Sequence, residues 1–356
     1  MRWLRIFGIA LLLAALFLAG AFYSYRAIAR KRERDHRADL LKLPDPAAGT
    51  SYPKVFFQRG VNFTAEFPAF YGSDRAVEML KKLPAFGVDS IALVPYGFAS
   101  TTQPQVRGWN TRWEGDVGIT QLTRVAHSLG MKMLLKPQLW MHSANPANID
   151  FPNAAARAEW FRQYRPFLEH YAGLAKEVHA DGLCVGVELE KMTPYEQEWR
   201  SLITRAREIY PGPLTYAANF GPEFETIKFW DALDWIGLDE YYALPDNLSA
   251  AEIVQKIEAV QSHYRKPVVF TEAGFPSVEG ANRTPWDEPA RPMDLQAQAQ
   301  CYEALYRAFY KQPWFAGIYW WKVGTNGFGG EKDASHTPWN KPAMDVVREW
   351  YTSQKR

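Results

Sequence analysis

From residue 55 onward, short runs of consecutive apolar residues alternate with longer stretches whose apolar positions recur every three or four residues. The short runs lie at 55–63, 90–95, 131–137, 182–188, 213–219, 234–241, 267–274 and 315–322. Apolar runs of this length suit strands covered on both faces. Stretches with helical period follow them, for example at 73–86, 119–129, 154–178, 195–209, 250–263 and 295–310. Strands alternating with helices imply parallel βαβ units, and eight units in about 300 residues predict a (β/α)8 TIM barrel over residues 55–356. A doubly wound sheet is the rival, but it would carry a Gly-rich phosphate turn after its first strand, and this chain has none.

The pattern changes at the amino terminus. Residues 6–23 form an uncharged, mostly apolar run preceded by Arg2 and Arg5. At ~1.5 Å per residue a helix there would reach roughly 27 Å, barely a bilayer core. Residues 1–23 are therefore read as a signal peptide or an uncleaved membrane anchor. Ala19-Gly20-Ala21 resembles a cleavage site, while the length of the run favours an anchor. Six basic residues between Arg26 and Arg37 follow the run and oppose export of what comes after. Export is still the expectation, with the catalytic domain outside the cytoplasm. Residues 24–54, polar and then Pro-rich, read as a linker or stalk.

Composition narrows the function. The chain is 47% hydrophobic and carries 14 Trp, 18 Tyr and 21 Phe, which need a packed core. A net charge of +2 with no basic stripe argues against nucleic acid as a partner. Two cysteines, Cys184 and Cys301, exclude a disulfide framework and a Cys-based zinc site. The histidines form no HExxH motif and no GxSxG elbow occurs, so neither a metalloprotease nor a serine esterase is supported. No metal and no cofactor are expected.

In such barrels the chemistry sits at the carboxyl ends of the strands. The fourth candidate strand ends in Glu188, the fifth in Asn219, the sixth in Tyr241, the seventh near Glu272 and the eighth in Trp320-Trp321-Lys322. Strict alternation would put Cys184, Gly186 and Glu188 on one face, and Val268, Phe270 and Glu272 on one face. Two inward carboxyls with aromatic neighbours suggest glycoside hydrolysis, in which one carboxyl must hold a proton and the other must stay ionised. Each glutamate alone could equally be half of an ion pair closing the barrel top. Glu190 falls in the loop beyond the fourth strand and reads as an acid outside the pocket.

Further candidates are weaker. Trp140 and Tyr96 follow the third and second strands and could stack on sugar rings or plug loops; Trp286 is a similar loop residue. Lys136 could hold a hydroxyl or pair with a carboxylate. Trp321 is preferred to Trp320 as a pocket floor, because it shares parity with Tyr319 and with a deeply placed Gly317.

A set of motifs carries a resemblance. Arg59-Gly-Val-Asn62, Leu134-Leu-Lys-Pro137, Val185-Gly-Val-Glu188, Leu214-Thr-Tyr-Ala-Ala-Asn219, Asp234-Trp-Ile-Gly-Leu-Asp-Glu-Tyr241, Phe270-Thr-Glu-Ala-Gly274 and Tyr319-Trp-Trp-Lys322 occur in order. With Lys341-Pro-Ala343 they make the chain resemble glycoside hydrolase family 113, the endo-β-1,4-mannanases of the retaining barrel clan, over residues 55–351. The resemblance implies Glu188 as acid/base and Glu272 as nucleophile, with Tyr241 beside the nucleophile and a strand-eight tryptophan under the sugar. One departure stands out. Many clan members carry Asn directly before the acid/base, where it bonds the sugar 2-hydroxyl; here that residue is Val187, so Asn219 is the candidate for that contact. The expected partner is an oligo- or polysaccharide, and the expected state is a monomer. A transglycosylase using the same glutamates, or a catalytically weak glycan-binding barrel, would give the same motifs.

Overall fold

The structure is a computed structural model that describes residues 56–353 apart from 143 and 289, together with residues 20, 24 and 31. The chain divides into two units, Met1–Pro44 and Asp45–Arg356, and all that follows concerns the second. The apolar run 6–23, apart from residue 20, and nearly all of the linker lie outside the described residues. No helix among the described residues is long and apolar enough to cross a membrane.

Eleven strands are described: β1 (Gln58–Thr64), β2 (Ser90–Leu93), β3 (Tyr96–Ala99), β4 (Val106–Arg107), β5 (Lys132–Leu135), β6 (Gln138–Trp140), β7 (Gly182–Val187), β8 (Leu214–Asn219), β9 (Ile236–Glu240), β10 (Val268–Ala273) and β11 (Phe315–Gly324). Eight of them close a parallel barrel in the order β1-β11-β10-β9-β8-β7-β5-β2. Each of these eight overlaps one of the apolar runs of the sequence. Three short strands, in the order β4-β3-β6, make a small separate sheet. It holds Tyr96 and Trp140, two residues expected in loops.

The helices are α1 (Asp74–Leu80), α2 (Asp116–Ser128), α3 (Ala154–Glu177), α4 (Glu196–Ile209), α5 (Pro222–Thr226), α6 (Ala251–Tyr264), α7 (Leu295–Phe309) and α8 (Pro342–Ser353). Helix α3 shows how the sequence sets them. Asn153 caps it by accepting from the Ala156 N–H, and Trp160, Tyr164, Phe167, Tyr171 and Leu174 recur at spacings of three and four to bury one face. Most of the aromatic excess serves this layer between helices and barrel, where Trp160, Trp199, Trp230 and Trp320 are all fully buried.

Inside the barrel, Ala92, Leu134, Trp235, Val269, Ala316 and Tyr319 form an apolar layer. Gly60 is needed beside it, because a Cβ there would lie 2.3 Å from the Tyr319 ring. Ala316, not Gly317, faces this layer. Asn62, Lys136, Asp239 and Thr271 add a buried polar cluster, in which the Asn62 amide donates to the Thr271 and Tyr319 carbonyls at 3.1 Å.

Strict alternation fails on both glutamate strands. The pairing of β7 with β8 is irregular between Cys184 and Val187, and Cys184, Val187 and Ala217 pack together. A Cβ on Gly186 would instead strike Tyr216 and Trp199, on the helix side. The β9–β10 pairing is irregular between Phe270 and Glu272, and Phe270 packs on Phe309 of α7. Such bulges re-aim side chains at strand ends. Here they return both glutamates to the barrel mouth despite the wrong parity.

Candidate active site

A cavity of about 370 Å³ opens at the carboxyl ends of the barrel strands. Of the residues expected there, Glu188, Glu272, Asn219, Tyr241 and Trp321 line it; Gln138, Asn145, Phe220, Trp286 and His336 complete the wall. Three larger clefts run between outer helices and contain none of these residues.

The two glutamates stand in opposite surroundings. Glu272 has a donor at each oxygen: the Lys136 ammonium at Oε1 and the Tyr241 hydroxyl at Oε2, the latter at 2.9 Å. That is the coordination of an anion. Glu188 follows the last residue of β7 in the left-handed region, at φ 48°, with its N–H donating to the Ala217 carbonyl at 2.9 Å. Burial pushes its carboxyl well above the usual range; Asp239 and Glu272 push the same way, and Lys136 opposes them.

Lys136 joins the site from below. Its side chain is fully buried between Asp239, at 3.3 Å, and Glu272. Burial works against its charge, but Asp239 and Glu272 outweigh it and hold the ammonium above the ordinary lysine range. Asp239 is itself pushed up to about 7, by burial first and then by Glu272, while accepting from Thr271 Oγ1 at 2.7 Å. Lys136 thus grips the nucleophile candidate instead of reaching a sugar, which corrects its reading as a substrate contact.

Trp320 is a second correction. Its ring stacks on Tyr302 at 3.6 Å and its Nε1 donates to the Tyr306 hydroxyl, both on α7, so it faces the helices. Trp321 faces the cavity. Trp140 and Tyr96 lie outside the cavity wall. Tyr96 is register partner to Gln138, which lines the cavity, and Phe98 is partner to Trp140, 44% exposed.

A search with family sequence profiles matches Glycoside Hydrolase Family 113 over residues 63–340. The chain belongs to glycoside hydrolase family 113. It is a glycoside hydrolase that acts on O-glycosyl bonds of a carbohydrate substrate. A β-1,4-mannanase of family 113 is 26% identical over 84% of this chain and 100% of its own, with a TM-score of 0.77. The family 113 β-mannanase AaManA from Alicyclobacillus acidocaldarius, solved in complex with ManMIm, is 30% identical over 85% of this chain and 99% of its own, with a TM-score of 0.78. The β-glucuronidase of Ruminococcus gnavus, 16% identical with a TM-score of 0.60 over 83% of this chain and 50% of its own, shares the fold. The comparison with curated proteins gave no match.

Some of this hydrolase's wall was not legible in its sequence. His336 comes from the long loop after β11 and bridges Glu288 Oε1 and the Pro285 carbonyl, each at 2.6 Å. Those bonds fix the loop bearing Trp286, which stacks on Phe220 at 5.4 Å. Asn145 and Phe220 likewise come from loops with no periodic pattern. Gln138 could have been found from its place two residues before Trp140.

Proposed function

We propose that this hydrolase is a retaining endo-β-mannanase that cleaves β-1,4-linked mannan, with Glu188 as acid/base and Glu272 as nucleophile. One observation carries the reading: two glutamates line one cavity, one with a donor from Lys136 or Tyr241 at each oxygen, the other without a side-chain donor and in surroundings that favour its neutral form. In the first step Glu188 gives its proton to the departing glycosidic oxygen while Glu272 attacks the anomeric carbon. The bond to the leaving sugar breaks and a covalent glycosyl-enzyme forms. Glu188, now ionised, takes a proton from water, which attacks the same carbon and releases Glu272.

The remaining wall supports mannose at the reacting position. Trp321 offers an indole face as floor, and Tyr241 holds Glu272 in line. Val187 packs with Cys184 and Ala217, so it leaves the 2-hydroxyl to Asn219. An endo-acting mode finds support in the small sheet. Leu139 is buried and a Cβ on Gly97 would meet Phe167 of α3, so that face is covered; Phe98 and Trp140 on the other are exposed. Their edge-to-face pair, at 5.6 Å, extends an aromatic surface beyond Gln138 for further sugars. The apolar run at 6–23 and the polar stretch to 54 support an exported or membrane-anchored enzyme on a stalk.

Proton NMR of early hydrolysis of β-1,4-manno-oligosaccharides tests the reading. The new reducing ends should appear first as the β-anomer. First appearance of the α-anomer would mean inversion and exclude Glu272 as a nucleophile.

A further inference from the structure

Glu188 is aimed by its backbone. Its carboxyl has no hydrogen bond to another described residue, and its φ of 48° is one that side chains other than glycine rarely adopt. Something must hold the chain there. The next amide, Leu189 N–H, donates to the Tyr216 hydroxyl at 2.8 Å. That hydroxyl donates to Glu223 Oε1 at 2.6 Å, and Glu223 Oε2 accepts from the Asn219 N–H at 2.6 Å. A single carboxyl on α5 therefore ties the end of β7, through Tyr216, to the end of β8, directly. The two ends carry Glu188 and Asn219.

The strap is rigid and dry. Tyr216 is fully buried, and Trp199 and Phe229 hold its ring edge-on at 5.2 and 5.7 Å. Glu223 is 1% exposed and has no cation within ion-pair distance among the described residues. A buried carboxyl without a counter-ion is unfavourable, and an apolar side chain would pack there at less cost. Both of its oxygens are spent on the two strand ends that form the cavity wall.

We infer that Tyr216 and Glu223 are positioning residues that hold Glu188 against the glycosidic oxygen and Asn219 against the sugar. The inference rests on Glu188 being the acid/base. Without the strap, Leu189 is released, the left-handed turn at Glu188 relaxes, and the carboxyl moves off the leaving oxygen. Displacements near 1 Å at a proton donor cost ~100-fold in rate.

The test compares Tyr216→Phe, Glu223→Gln and their double variant with the wild type on two substrates. One is a β-1,4-manno-oligosaccharide, whose leaving sugar needs a proton. The other is an activated aryl β-mannoside, whose first step does not. Tyr216→Phe should lower kcat on the oligosaccharide by ~10–100-fold with KM little changed. It should leave kcat/KM on the aryl mannoside within about threefold, because that step needs no acid. Glu223→Gln also releases Asn219, so it should lose rate on both substrates, and more on the oligosaccharide. The double variant should be no worse than the poorer single one, since both cut one chain of bonds. Equal losses on both substrates in Tyr216→Phe, an unchanged oligosaccharide rate or additive losses in the double variant would overturn the positioning role. Glu188→Ala, run beside them, separates the two ideas. If Glu188→Ala shows no preference for the aryl substrate, the acid/base assignment fails. If it does and the strap variants do not, only the strap fails.

Discussion

The Tyr241 hydroxyl donates to Glu272 Oε2 at 2.9 Å, on the oxygen that Lys136 leaves open. The bond steadies the charge on Glu272 and orients its free lone pair. Tyr241→Phe should therefore lower kcat by about ten- to a hundredfold, the range expected on losing a charge-assisted hydrogen bond of ~1.5–3 kcal/mol. Steady-state kinetics on a manno-oligosaccharide, with circular dichroism to confirm the fold, would check it. Unchanged kcat would mean that the phenol only fills space.

Lys136 holds two buried carboxyls apart. Lys136→Met leaves Asp239 and Glu272 facing each other with no cation, and should cost about 3–5 kcal/mol of stability along with activity. Adding Asp239→Asn removes one of the facing carboxyls and should recover part of that loss. Denaturant unfolding of the two variants measures the difference. No recovery in the double variant would mean that like-charge repulsion is not what Lys136 relieves.

The two adjacent tryptophans should fail in different ways. Trp321→Ala opens the sugar side and should cut turnover while the melting temperature stays near wild type. Trp320→Ala empties the contact with Tyr302 and Tyr306, and should cost about 3–5 kcal/mol of stability. Thermal melts and kinetics on both variants would show the split, and a reversed pattern would contradict the assigned orientations.

Stability should fall toward alkaline pH. Burial pushes Glu240 up to about 8 from an ordinary 4.5. The folded chain keeps a proton there that the unfolded chain releases. This contribution is complete below pH 4.5 and is lost as the pH rises through about 8. Glu240→Gln, which cannot ionise, should flatten the decline in melting temperature between about pH 5 and 9. An unchanged slope would show that Glu240 is not part of it.

The sequence carried the barrel because each buried strand is a continuous apolar run and each helix shows a period near 3.6. It carried the residues that end strands, so Glu188, Asn219, Tyr241, Glu272 and Trp321 could be named. It did not carry the route by which the glutamates arrive. Alternation from the glutamates placed Gly186 and Phe270 inside, whereas both face the helices and irregular pairing brings the glutamates back to the mouth; no residue type announces such a bulge. Trp320 and Trp321 are chemically the same, and only the packing of α7 separates them. Lys136 looked like any strand-end cation until Asp239 and Glu272 closed around it. Asn145, Phe220 and His336 lie in aperiodic loops that tertiary contacts bring to the mouth.

The central claim is the division of roles between Glu188 and Glu272. The most direct measurement is aryl β-mannoside kinetics of Glu188→Ala, with and without azide. Glu188→Ala should still form the glycosyl-enzyme, since an activated leaving group needs no acid, but the second step lacks its base and the intermediate should accumulate. Azide needs no base and should restore turnover, yielding a β-mannosyl azide with retained configuration. Full activity of Glu188→Ala on natural oligosaccharide, or an α-mannosyl azide from that variant, would contradict the account.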